Sequence, residues 1–142
     1  WYMFFFQLDL ASRAVPMNDF ALIDRLWAEW SPGYSLPEAD RLALKQMFAQ
    51  PGVVDQTLSY YRQLFTTAPP PGVSLGGPIV APALYLHGVN DGCMGAALTR
   101  GMADRFTGGF RLELIEGAGH FLHLEQPEKV AGLITAFLKS AI

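Results

Sequence analysis

Two side chains in this 142-residue chain stand where acid–base chemistry could be done. His120 lies in Glu116-Gly-Ala-Gly-His-Phe-Leu-His123, directly after the apolar run Phe110 to Ile115. Asp91 lies in Gly88-Val-Asn-Asp-Gly-Cys-Met94, directly after a second apolar run, Ala83 to His87. Each run has the length and composition of a buried strand. In parallel α/β sheets, ligands and chemistry collect at the C-terminal ends of strands, which is where both loops fall. A carboxylate beside an imidazole fixes the ring's tautomer and stabilises its cation, so the pair can serve as a general base. Asn90 is a poorer partner because it carries no compensating charge. Asn-Asp-Gly is also good turn chemistry, and a loop histidine can merely satisfy backbone groups. The shared strand-end position favours the catalytic reading of both. His87 and His123 read as structural.

The elements that must position these residues follow from period and punctuation. From residue 83 onward the pattern is strand, helix (about 94 to 106), a Gly108-Gly109 turn, strand 110–115, the His120 loop, and a helix from about 127 to 140. Strand-helix-strand-helix is the grammar of a parallel sheet. Residues 1 to 65 instead read as helical throughout, with short joints. Trp1, Tyr2, Phe5, Phe6 and Leu8 are dense enough that this first segment is buried on most sides. Pro16-Met-Asn-Asp19 is a break, with Asn18 or Asp19 as N-cap. Phe20, Ile23, Leu26, Trp27 and Trp30 then recur at helical spacing until Ser31-Pro-Gly stops them. Ser35-Leu-Pro-Glu38 has the form of a capping box. Val54, Leu58, Tyr61 and Phe65 line one face of a further helix. Between the halves, Pro69, Pro70, Pro71, Pro78 and Pro82 with Gly72, Gly76 and Gly77 mark a linker. The expected domains are therefore a helical region 1–68, a Pro/Gly-rich linker 69–82, and an α/β unit 83–142.

Composition narrows the class. The chain is 51% hydrophobic and 16% charged, so it is globular. A net charge of −3 without a basic cluster gives nucleic acid and anionic membranes no footing. No apolar run approaches membrane-span length. The single Cys93 excludes an internal disulfide framework and suits a reducing compartment, here taken as the cytoplasm. The chain opens on Trp1 inside an aromatic run, and two strands make no stable sheet alone. It is expected to be part of a longer protein.

Pro82-Ala-Leu-Tyr-Leu-His-Gly-Val-Asn-Asp91 together with Gly117-Ala-Gly-His-Phe-Leu-His-Leu-Glu-Gln-Pro-Glu128 resembles the C-terminal part of the α/β-hydrolase fold. The helical region before it resembles that superfamily's cap. Within the cap, Trp1-Tyr-Met-Phe-Phe-Phe-Gln7 and Leu58-Ser-Tyr-Tyr-Arg62 resemble the two tyrosine-bearing motifs of epoxide hydrolases. The resemblance implies that Asp91 is the relay acid, His120 the general base, and Tyr2 and Tyr61 the pair that hydrogen-bonds the epoxide oxygen. Phe6, Met94 and Phe121 are the implied substrate walls. Tyr60 reads as packing. The superfamily's order is nucleophile, acid, histidine. Cys93 follows the acid, which is the wrong place for the nucleophile, and that group is expected upstream of residue 1.

The chemistry so implied explains the residue types. A missing Asp attacks an epoxide carbon and forms an alkyl-enzyme ester. The alkoxide that develops needs a donor, and a phenol with a pKa of about 10 stays protonated at neutral pH to supply it. His120 then activates the water that hydrolyses the ester. No metal or organic cofactor is required; the partners are a small apolar substrate, epoxide or ester, and water, with a homodimer left open. A Ser nucleophile would instead make the parent an esterase, and an Asp without the tyrosine roles a haloalkane-type hydrolase. A non-catalytic truncated module is the reading from a different class.

Overall fold

Helix punctuation shapes the first half of the chain in a computed structural model, which describes all residues except 67, 69, 70, 73–75 and 142. Five helices follow one another: α1 (Tyr2–Phe5), α2 (Leu10–Ala14), α3 (Met17–Trp30), α4 (Glu38–Phe48) and α5 (Val53–Thr66). This is the run of short-jointed helices expected from the spacing. Pro37 caps the start of α4, and Gly52 at φ 81° turns the chain into α5. Phe6, Ala11, Val15, Phe20, Ile23, Leu26 and Leu58 are buried, and α5 packs against α2 and α4.

Two expectations about helix starts are corrected. Neither Asn18 nor Asp19 caps α3, because Asn18, Asp19 and Phe20 form a left-handed turn at φ 52°, 54° and 57°. Such a conformation costs roughly 1–2 kcal/mol per L-residue. Asp19 is used across the unit instead. Its carboxylate lies 3.1 Å from Lys45 Nζ, and Asp24 lies 2.6 Å from the same ammonium. The Lys45 side chain is only 8% exposed, so both carboxylates answer a buried charge. The capping box at Ser35 is absent too: α4 has no side-chain cap, and Glu38 takes two hydrogen bonds from Arg41 at 2.7 Å each.

The second half changes period. Strands β1 (Ala83–Gly88) and β2 (Phe110–Ile115) pair in parallel, in register from Ala83 opposite Phe110 to Gly88 opposite Ile115. Both match the expected strands to within a residue. Helices α6 (Leu122–Glu125) and α7 (Pro127–Ala141) follow, and α7 packs on β1. The helix expected over 94–106 is not formed. Two 3₁₀ turns, Ala96–Thr99 and Met102–Arg105, replace it, joined through Gly101 at φ 76°. Its two interior glycines, Gly95 and Gly101, disfavour a continuous helix despite the apolar content of the stretch.

The chain divides into two compact units, Trp1–Trp27 with Leu36–Val73, and Ala28–Ser35 with Ser74–Ile142. Residues 28–35 thus group with the strands. They are bonded to the loops that follow β1 and β2. Residues 69, 70 and 73–75 of the Pro/Gly-rich linker lie outside the described residues.

Candidate active site

β1 and β2 run in parallel, so their C-terminal ends lie side by side, and the loops that leave them meet. Asn90 N–H donates to the Ala118 carbonyl at 2.8 Å, and Val89 N–H to the Ile115 carbonyl at 3.1 Å. These ties bring Asp91 and His120 together: His120 Nδ1 lies 2.9 Å from Asp91 Oδ2. A carboxylate only accepts, so Nδ1 carries the proton and the Nε2 lone pair is left for a base. The Asp91 side chain is 5% exposed and that of His120 29%. The acid is therefore shielded while the imidazole keeps an open side. Asp91 Oδ1 accepts from the backbone N–H of Cys93 and Met94, at 2.7 and 2.8 Å. Those bonds aim Oδ2 at the ring.

A third residue supports the acid loop from inside. His87, 3% exposed, puts Nε2 2.8 Å from the Met94 carbonyl and 4.0 Å from Asp91 Oδ2. Donating to Met94 fixes its Nε2–H tautomer, and Nδ1 then accepts from the Tyr85 hydroxyl at 3.4 Å. His87 is structural as expected, although it supports the site itself. Met94 lies on the acid loop, 43% exposed. Phe121 packs beside His120 with ring centres 5.2 Å apart.

Residues 28–35 supply what the sequence reading missed. The Trp30 carbonyl accepts from His120 N–H at 3.0 Å and from Gly92 N–H at 3.1 Å. The Trp30 ring meets His120 edge-on at 5.1 Å. Ser31, wholly buried, donates its hydroxyl to Glu125 Oε1 at 2.8 Å and accepts from Phe121 N–H at 3.0 Å. Glu125 also accepts from Gly119 N–H, at 2.9 Å to each oxygen. The approach is too close for side chains. A Cβ on Gly92 would sit 1.9 Å from the Glu29 carbonyl oxygen, and one on Gly119 2.7 Å from Ser31 Cα. In the sequence Ser31 shows only as a helix stop, and Glu125 carries no signal of its own. The glycines flanking Asp91 and His120 were the available signal, since each marks a place where another backbone approaches.

The tyrosine pair belongs to the helical unit. Tyr2 on α1 and Tyr61 on α5 meet edge to face, ring centres 5.8 Å apart. Phe6 is 6% exposed and packs against both, at 5.7 Å from Tyr2 and 5.0 Å from Tyr61. Gln7 Nε2 donates to the Tyr61 carbonyl at 3.1 Å, and Arg62 Nε to the Phe6 carbonyl at 3.0 Å, tying α1 to α5. Tyr60, 71% exposed, packs its ring edge on Tyr61.

Asp91, Cys93 and His120 each place a metal-ligand type of atom within 4.8 Å of the others. The Asp91 carboxylate already accepts three N–H bonds in this arrangement, which suits a hydrogen-bonded acid–base pair. A cleft of about 420 Å³ lined by Pro82, Phe110 and Phe137 lies at the opposite, N-terminal end of the strands.

The chain is 29% identical over 144 residues to human epoxide hydrolase 4, covering 97% of this chain and 39% of that relative. It is 30% identical over 145 residues to epoxide hydrolase 3 of Xenopus tropicalis, covering 97% of this chain and 38% of the relative. A solved epoxide hydrolase mutant from Bacillus megaterium, complexed with its naphthyloxy-propanediol product, superposes with a TM-score of 0.76. Its sequence identity is 21%, with coverage of 97% of this chain and 50% of that one. This chain is similar in sequence to epoxide hydrolases over nearly its whole length and has part of an α/β-hydrolase fold. It spans well under half the length of the curated relatives it matches. No protein-family model matches it. In an α/β-hydrolase, the ends of two neighbouring parallel strands are where an acid and a histidine would be presented, in that chain order.

Proposed function

We propose that the protein containing this chain hydrolyses epoxides to diols through a covalent alkyl-enzyme ester. The observation that carries the reading is the Asp91–His120 pair, bonded at 2.9 Å at the ends of adjacent parallel strands. The similarity to epoxide hydrolases supports the substrate class. The nucleophile in this reading is an Asp outside these 142 residues.

In the first step that carboxylate attacks an epoxide carbon. A carbon–oxygen ester bond forms as the ring carbon–oxygen bond breaks. Tyr2 and Tyr61, on two helices of a cap, hydrogen-bond the ring oxygen and supply the proton as alkoxide develops. In the second step His120 Nε2 takes a proton from water, and the hydroxide attacks the ester carbonyl. The bond from the carbonyl carbon to the alkyl oxygen breaks, the imidazolium gives its proton to that oxygen to complete the diol, and the carboxylic acid left on the nucleophile reprotonates the tyrosinate. Asp91 holds the Nδ1–H tautomer throughout and stabilises the imidazolium. Phe6 backs the tyrosine rings, and Phe121 and Met94 form apolar walls beside the acid and base. The relative's aryloxy diol product supports an apolar substrate carrying an aromatic group. Cys93 as the one cysteine supports a reducing compartment such as the cytoplasm.

The test is turnover of a styrene-type epoxide in ¹⁸O-water by the whole protein. Ester hydrolysis by attack at the carbonyl puts the first solvent oxygen into the nucleophilic carboxylate, so a single-turnover diol carries no label. Label in the single-turnover diol, or ester cleavage without epoxide opening, overturns the proposal.

A further inference from the structure

Ser31 and Glu125 take no part in the two chemical steps, yet they hold the amides on either side of His120. Gly119, His120 and Phe121 are consecutive, and each of their N–H groups has a different acceptor. Gly119 N–H goes to Glu125, His120 N–H to the Trp30 carbonyl, and Phe121 N–H to Ser31 Oγ. The Ser31 hydroxyl closes the circuit on Glu125 Oε1 at 2.8 Å. The same Trp30 carbonyl takes Gly92 N–H, so one peptide group spans the loop that carries the acid and the loop that carries the base.

We infer that Ser31 and Glu125 are positioning residues, which fix the His120 backbone and thereby the Asp91–His120 separation. This rests on the reading of His120 as the general base. The physical case has three parts. Ser31 is wholly buried, so its hydroxyl is a directional tie and not a surface ornament. Gly119 carries no side chain to restrain it, so its orientation is set by what its N–H meets, and a carboxylate is the strongest acceptor available. Finally, Ser31 and Glu125 are 94 positions apart, so their bond ties a distant stretch of chain to the loop, beside the bonds that the Trp30 carbonyl makes there.

A merely structural role and a positioning role separate in experiment. In the whole protein, Ser31→Ala should lower kcat for an epoxide by about tenfold or more with KM nearly unchanged, because misplacement of a reacting group by about 1 Å can cost a hundredfold. Ser31→Thr, which keeps the hydroxyl, should restore most of the rate. Amide exchange at Gly119, His120 and Phe121 should quicken in Ser31→Ala while that of β1 and β2 stays as in the wild type. Glu125→Gln, which keeps the shape but weakens the acceptor, should show the same pattern in milder form and serves where Ser31→Ala does not fold. Unchanged exchange at the three amides, or an equal rise across β1 and β2, would overturn the inference. The exchange readout needs no turnover, so a protein that opened no epoxide would sink the proposed activity while still deciding whether Ser31 and Glu125 hold the loop.

Discussion

Around His120, three consecutive amide N–H groups and one ring N–H each have a named acceptor at 2.9–3.0 Å. Around Tyr2 and Tyr61 the holding is done by ring edges and faces at 5.0–5.8 Å, with Gln7 and Arg62 tying the backbones of α1 and α5. The contrast matches two chemical duties. A general base has to point one lone pair in one direction, which hydrogen bonds specify. In the proposed reaction a pair of phenols has to meet the epoxide oxygen, and edge-to-face ring packing fixes the plane of each ring.

The largest effect should come from cutting the tied site. Asp91→Asn keeps the shape of the acid but loses its charge and upsets the tautomer, so diol formation should fall by about four orders of magnitude. His120→Ala should be as damaging, and in a telling way. The ester should still form but no longer hydrolyse, so intact-mass spectrometry should find the protein heavier by one substrate. If His120→Ala neither accumulates adduct nor loses turnover, the base lies elsewhere. Next come the phenols. Tyr2→Phe and Tyr61→Phe should each slow epoxide opening by about 10²–10³, roughly 3–4 kcal/mol, by analogy with the loss of one oxyanion donor. Hydrolysis of a simple ester substrate should be nearly untouched. Equal losses on both substrates would make the tyrosines packing residues only.

Below catalysis, the same comparison can be drawn in the cores. Leu58 lies on α5 in the helical unit and is 2% exposed, and Ile115 ends β2 and is 1% exposed. Truncating either to Ala should cost about 2–5 kcal/mol of stability. Their catalytic signatures should part. Ile115→Ala sits beneath the ties from Val89 and Ala118 and should lower kcat well beyond its effect on folding at assay temperature. Leu58→Ala should act mainly through stability, read as a lower midpoint in urea with near-normal kcat in the surviving protein. Matching kcat losses in the two variants would remove the distinction between a tied and a packed site.

What the sequence revealed and what it hid divide along the same line. Strands β1 and β2, their parallel pairing, the helical half and the meeting of Asp91 with His120 all follow from local period and punctuation, because each is written within a few residues. The left-handed turn at Asn18–Phe20 was not legible. Its Asp19 answers Lys45, 26 positions away, and no window of sequence shows that demand. Trp30, Ser31 and Glu125 were hidden for the same reason, since the bonds Trp30–His120, Ser31–Phe121 and Ser31–Glu125 each span 90 or more positions. The broken 94–106 segment is a different failure. Its apolar residues favour a helix, but the glycines at 95 and 101 break it into two 3₁₀ turns.

The smallest effect belongs to a pair that neither site needs. Glu38 accepts from Arg41 Nε and Nη2 at 2.7 Å, and that bonding holds its carboxyl below the ordinary value of 4.5. A carboxyl whose pKa is depressed by folding adds stability that is complete above the unfolded value and is lost as pH falls through the folded one. The difference in melting temperature between wild type and Glu38→Gln should therefore be constant from neutral pH down to about pH 5, then shrink toward zero below the ordinary carboxylate value. Both groups are in solvent, so the difference should be small and should fade in high salt. A gap that widens in acid would mean that Glu38 is protonated more readily folded than unfolded. That would contradict the Arg41 fork and place the pair's carboxylate in some other company.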